Sequence, residues 1–229
     1  MSNSNDPTDY KIYLVNKGSS VKNFWCFLKQ PEGINSPKVY ANSSAMLSVI
    51  PNYEGINTFT IPLQYIIGAG SHNNAVGLDV KIDSNIVKKV SLQESWAANY
   101  STVPPKQGPL LTINQDTTSA TDTIGIKSNT FDRVANENSS WYSSMSFGIE
   151  SANGYVGVTW APSPNDSSTI TPKFAFYIAT GNYTSNALAD IETISNESAK
   201  IELSNFNNLE ATVTLTATGE WLVTPGKPQ

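Results

Sequence analysis

The chain has 229 residues, 39% hydrophobic and only 14% charged, and about a third of it is Ser, Thr or Asn; that length suits one large β domain or two small ones. One His (His72), one Cys (Cys26) and one Arg (Arg133) are too few for a zinc site of His and Cys ligands or for a disulfide within one chain. A net charge of -5, a pI near 4.9 and no basic run longer than Lys88-Lys89 argue against nucleic acid as a partner.

The first residues, MSNSNDPTD, have neither a basic nor an apolar stretch and do not read as a secretory signal. The longest apolar runs, such as 61–67, are strand-sized. The expectation is cytoplasmic synthesis without a signal peptide, with leaderless export left open. In chain order, 10–15 and 21–28 read as a hairpin across 16–20. Strands are expected at 39–49 and 56–67, separated by the turn 51–55. A Gly-Ala-Gly-Ser-His-Asn-Asn loop (68–74) leads to a strand at 76–82. Asn153-Gly154 predicts a tight type I′ turn between 144–150 and 155–160. Further strands fall at 174–178 and 199–203, and 185–190 is briefly helical. In 209–217 the residues alternate: Ala211, Val213, Leu215 and Ala217 on one side, with Thr212, Thr214, Thr216 and Thr218 on the other. The pattern predicts an all-β fold, an antiparallel sandwich or jelly-roll-like domain with very little helix. A single domain over 10–223 would carry a Pro/Ser/Thr-rich excursion at about 102–128, between polar tails at 1–9 and 224–229.

The candidate chemistry is thin. His72 could serve a nucleophile as base, but no G-x-S-x-G elbow accompanies it. Glu94, Glu137 and Glu150 have aromatics nearby (Trp96, Trp141, Tyr155), yet nothing selects a pair for glycoside hydrolysis. Residues 116–122 alternate oxygen-bearing side chains but lack the Gly and closing Glu of an EF-hand loop. No cofactor and no metal are expected. Sugars are held by an aromatic face plus a few placed polar groups, which makes loops bearing Tyr, Trp, Asn and Asp the better candidates. On that ground Tyr53, His72, Trp141, Asn165, Asp166, Asn182 and Tyr183 are the expected ligand-binding residues. The 111–128 segment has the composition of a pore-forming hairpin without a sustained lipid face, so it reads as a polar surface loop. The threonine row would be a hydroxyl array if neighbouring strands continued it. Trp160, Tyr177 and Cys26 read as core residues.

The run Phe174-Ala175-Phe176-Tyr177-Ile178-Ala179-Thr180-Gly181-Asn182-Tyr183, with Asp190-Ile191, Ser198-Ala199-Lys200-Ile201 and Trp221, resembles the family of the rhizosphere-expressed protein RhiA and its bacterial and fungal relatives. So do Tyr10, Leu14-Val15-Asn16, Asn23-Phe24-Trp25-Cys26-Phe27 and Val39-Tyr40-Ala41-Asn42 near the start; the middle of the chain departs from it. The resemblance implies a small soluble protein working where organisms meet, and it brings no catalytic residues. The resulting expectation is a non-enzymatic, lectin-like recognition protein with glycans and copies of itself as partners. A self-assembling structural protein and a membrane-active β toxin are the alternatives.

Overall fold

The computed structural model describes residues 9–53, 55–101 and 108–228. With strands numbered in chain order, the first sheet runs β18 (Trp221–Pro225), β17 (Glu210–Leu215), β1 (Asp9–Asn16) and β5 (Asn57–Pro62). A second runs β13 (Ser167–Ile170), β10 (Ile124–Ser128), β8 (Ser95–Asn99) and β9 (Leu110–Ile113). The third and widest runs β15 (Ala187–Ala189), β3 (Val39–Ser43), β12 (Gly154–Trp160), β11 (Tyr142–Ser151), β6 (Tyr65–His72) and β7 (Ile86–Val90). The fourth runs β16 (Ala199–Glu202), β14 (Ala175–Thr180), β2 (Lys22–Leu28) and β4 (Ala45–Val49). Among the described residues only β1–β17 and β8–β10 pair in parallel. Two short helices, α1 (Arg133–Asn138) and α2 (Ile191–Glu197), start on the caps Asp132 and Asp190, whose carboxylates accept from Ala135 N and Thr193 N. This is the expected all-β fold with sandwich-like sheets. Among the described residues no helix is long and apolar enough to cross a membrane.

All four sheets turn one face to a common core. Ile12, Phe59 and Val213 come from the first sheet, Ile124 and Ile126 from the second, Phe147, Val158 and Trp160 from the third, and Phe24 and Phe176 from the fourth. The run Phe24-Trp25-Cys26-Phe27-Leu28 is apolar without a break because both of its faces are covered. Phe24, Cys26 and Leu28 enter the main core, while Trp25 and Phe27 meet Ala179 and Ile194 in a second, smaller cluster beneath α2. Cys26 is fully buried, and burial pushes its thiol pKa up, which keeps it an unreactive small hydrophobe.

Several expected connections form differently. The 10–15 and 21–28 strands are not a hairpin: β1 pairs with β17 and β5, and β2 with β14 and β4. Buried Asn16 sets that crossover, donating to the carbonyls of Ser20 and Val49 and accepting from Gly18 N. The single strands expected at 39–49 and 56–67 each divide between two sheets, at Ser44 and after Pro62, as happens at sandwich corners. The Gly-rich 68–74 stretch is mostly strand β6, and 76–82 is loop closed by a bridge from Lys81 to Ala187. The 185–190 stretch contains strand β15 (Ala187–Ala189) rather than helix, and the helix follows it. The 111–128 segment is not simply a surface loop, for β9 and β10 place Leu111, Ile124 and Ile126 in the core; residues 102–107 lie outside those described. The β11–β12 hairpin forms where expected, but Ala152 and Asn153 are its central residues and only Gly154 has positive φ, at 124°. At the C-terminal end, β18 continues through Thr224 and Pro225, past the expected boundary at 223.

Candidate functional site

The outward faces of the first and third sheets each carry a concavity, built by opposite means. On the first sheet, the strand alternation that sends Ala211, Val213 and Leu215 inward sends Thr212 and Thr214 outward. Cross-strand pairing sets Thr212 opposite Tyr13 on one side and Thr224 on the other, and Thr58 beyond Tyr13. The expected threonine row therefore continues sideways, while Thr216 and Thr218 leave the strand for the turn before β18. The result is a groove of about 760 Å³ whose walls include Tyr53, Asn52, Asn57 and Lys17 and whose floor includes Thr212, Thr214 and Thr224. The C-terminal segment borders it: Thr212 Oγ1 donates to the Gly226 carbonyl at 2.7 Å. Tyr13 donates to Glu210 Oε1 at 2.6 Å, and burial together with that carboxylate pushes its pKa up to about 12. Tyr53 is 58% exposed at the rim, with its ring folded over Gly55.

On the third sheet, several outward positions of the central strands are glycine or serine. Gly148 faces Gly157 across β11–β12, and Gly68 and Gly70 face Ser146 and Ser144 across β6–β11. The Tyr155 ring lies flat across Gly148 and Gly157, where any Cβ would collide with it. Segment 73–85 then crosses this face, tied down by Asp79 N to the Leu188 carbonyl and Leu188 N to the Val80 carbonyl. Beneath its far end is a cleft of about 340 Å³. Asp83, Glu150, Tyr155, Ser84, Ser146 and Asn186 contribute polar groups, and Ile66, Ile82 and Val87 an apolar wall. Thr159 Oγ1 donates to Asn42 Oδ1 at 3.0 Å on the same face. Burial raises the pKa of both Glu150 and Tyr155. The Tyr155 hydroxyl is buried without a well-formed hydrogen bond and lies toward Ser146.

The seven expected residues do not converge. Tyr53 belongs to the groove. His72 closes β6, its ring over Gly70 and its Nε2 2.7 Å from Ser144 Oγ. Trp141 directly precedes β11, whose Tyr142 pairs with His72, so these two alone lie at neighbouring strand ends. Asn165, at φ 52°, and Asp166 form a turn that bonds to Ser128, Asn129 and Asn35; these are turn-making roles. Tyr183 packs edge-on against Phe27 and Trp25, at ring-centroid distances of 5.0 and 5.7 Å. Asn182 is exposed beside a separate shallow depression of about 370 Å³ at the edge of β2. Glu94 is held by Ser91 N and Trp96 Nε1, and Glu137 by Arg133, so neither acid is poised for chemistry.

The His72–Ser144 contact has the spacing of a base and nucleophile, and Asp83 is near enough to raise the His72 pKa, though burial lowers it more. The hydroxyl is nonetheless enclosed, with Ser144 1% exposed in mid-sheet. Among the described residues no carboxylate accepts from His72 Nδ1. A serine nucleophile needs its base oriented and a carbonyl within reach; this contact is a polar clip between β6 and β11. Asp83, Tyr155 and the partners Thr58 and Thr224 went unselected in the sequence. The available signal was the glycine pairs: outward glycines in strands mark a place where something lies close. Comparison with protein-family models, curated proteins and solved structures finds no match to the chain.

Proposed function

We propose that the protein acts by recognition and not by catalysis, and that it binds carbohydrate in the groove of the first sheet. The observation that carries this reading is the exposed Tyr53 ring at the rim of a groove floored by neutral hydroxyl groups. A pyranose presents an apolar face and a ring of hydroxyls, which match an aromatic side chain and a set of uncharged donors and acceptors. The family resemblance, with its setting between organisms, agrees with a role in reading surface glycans. A panel of neutral and acidic glycans, followed by thermal shift and calorimetry, tests it. At least one glycan should raise the melting temperature through mass action, and Tyr53→Ala should weaken that glycan roughly tenfold or more while leaving the unliganded melting temperature unchanged. Binding indifferent to Tyr53→Ala, or no binding across the panel, overturns the reading.

Assembly of copies is a second reading, favoured by edge strand β9, where Leu110 is 61% and Ile113 42% exposed. Open edges with apolar side chains are templates for pairing. Light scattering should give a mass above one chain, and Leu110→Lys should reduce it; a monomer at high concentration rejects the idea.

A further inference from the structure

The cleft on the third sheet has no part in glycan binding as described, yet its lining is chemically specific. Asp83 and Glu150 both line it and both keep their carboxylates free: among the described residues neither makes an ion pair or a side-chain hydrogen bond. Among the described residues no basic residue lines it. Lys89 faces the same way from β7, since it pairs with Ile66, and it ion-pairs with neither acid. The two acids come from different elements, Glu150 from β11 and Asp83 from the crossing segment. The wall formed by Ile66, Ile82 and Val87 is apolar. Tyr155 adds a ring braced on Gly148 and Gly157, together with a buried hydroxyl that has no well-formed partner.

We infer that this cleft is a binding site for a short aliphatic diamine, with one ammonium at Glu150, the other at Asp83, and the methylene chain against the Ile66, Ile82 and Val87 wall. Each carboxylate can make a charge-assisted hydrogen bond to an ammonium. Methylenes gain from contact with apolar side chains, and the volume lies within the range of small-ligand sites. A neutral sugar would leave both carboxylates without a cation, and an anion would be repelled by them.

The test is calorimetry on the full chain with 1,3-diaminopropane, 1,4-diaminobutane and 1,5-diaminopentane at constant ionic strength. 1-Butylamine and 1,4-butanediol serve as controls. At least one diamine should bind saturably, the monoamine roughly tenfold more weakly, and the diol not at all. Asp83→Asn and Glu150→Gln should each weaken the best diamine roughly tenfold. Both side chains are exposed, so unchanged melting temperatures should confirm that the variants fold. Absence of binding by every diamine, equal binding of the diol or the monoamine, or diamine affinity untouched by both substitutions overturns the inference. Tyr53→Ala should leave diamine binding intact, which separates this site from the glycan groove.

Discussion

The outer faces of the first and third sheets obey the same alternation rule and end as opposite surfaces. On the first sheet the outward residues are threonines and tyrosines, which fill the space above the strands and leave an open groove. On the third the central outward residues are Gly68, Gly70, Gly148 and Gly157, which leave space that Tyr155, His72 and Ser84 occupy. Residue size on the solvent side thus decides whether neighbouring side chains stand up from a sheet or fold down onto it. The layered face buries polar groups, such as Thr159 at 2% exposure, and must satisfy them. On the open face Tyr13 and Thr212 are buried too, and they bond to Glu210 and to the Gly226 carbonyl.

This contrast predicts unequal tolerance to substitution. Gly148→Ala should have the largest effect, because a Cβ there would sit 2.5 Å from the Val156 carbonyl oxygen and 2.6 Å from Gly157 Cα. Backbone of the facing strand cannot yield as a flexible side chain can, so a loss of about 2–4 kcal/mol is expected by urea denaturation. A loss below about 0.5 kcal/mol would mean that the layered face is loosely fitted. A smaller effect is expected from His72. Burial holds its pKa below 6.5 in the folded state, so the unfolded chain binds the proton more readily and stability should fall as pH drops below about 6.5. His72→Gln should flatten that part of a melting-temperature profile. Glu150, held above 4.5 by burial, contributes in the opposite sense at lower pH and should remain visible in the variant. The smallest effect belongs to the open face: Thr214→Ala should change stability by less than about 0.5 kcal/mol. A larger loss would show that the threonine face is a packed surface after all.

Legibility in the sequence divides along the same line. Alternation and apolar runs suffice to place β1, β2, β12, β14 and β17, because a strand's two faces are written directly in its residues. They do not reveal that 39–49 and 56–67 each serve two sheets, since a continuous apolar run looks the same whether or not it turns a corner. They also hide β10, whose Ile124, Gly125 and Ile126 stand among polar residues. Tyr53 was legible as an exposed aromatic in a turn. Tyr183 looked equivalent and is instead committed to Phe27 and Trp25, a pairing between residues more than 150 positions apart that no local pattern contains. Glu150 and Asp83 meet only because a segment crosses the sheet, and spacing along the chain carries no trace of that.

The parallel ladder between β1 and β17 has a consequence for how the chain is made. Tyr13 and its partner Glu210 are 197 positions apart. At ribosomal rates β1 waits about 10–40 s for that neighbour to be synthesised. Meanwhile β5 can pair with its other side, and the outer edge stays open. A nascent chain of this kind closes its first sheet last, so the threonine groove comes into being only when the core beneath it is complete.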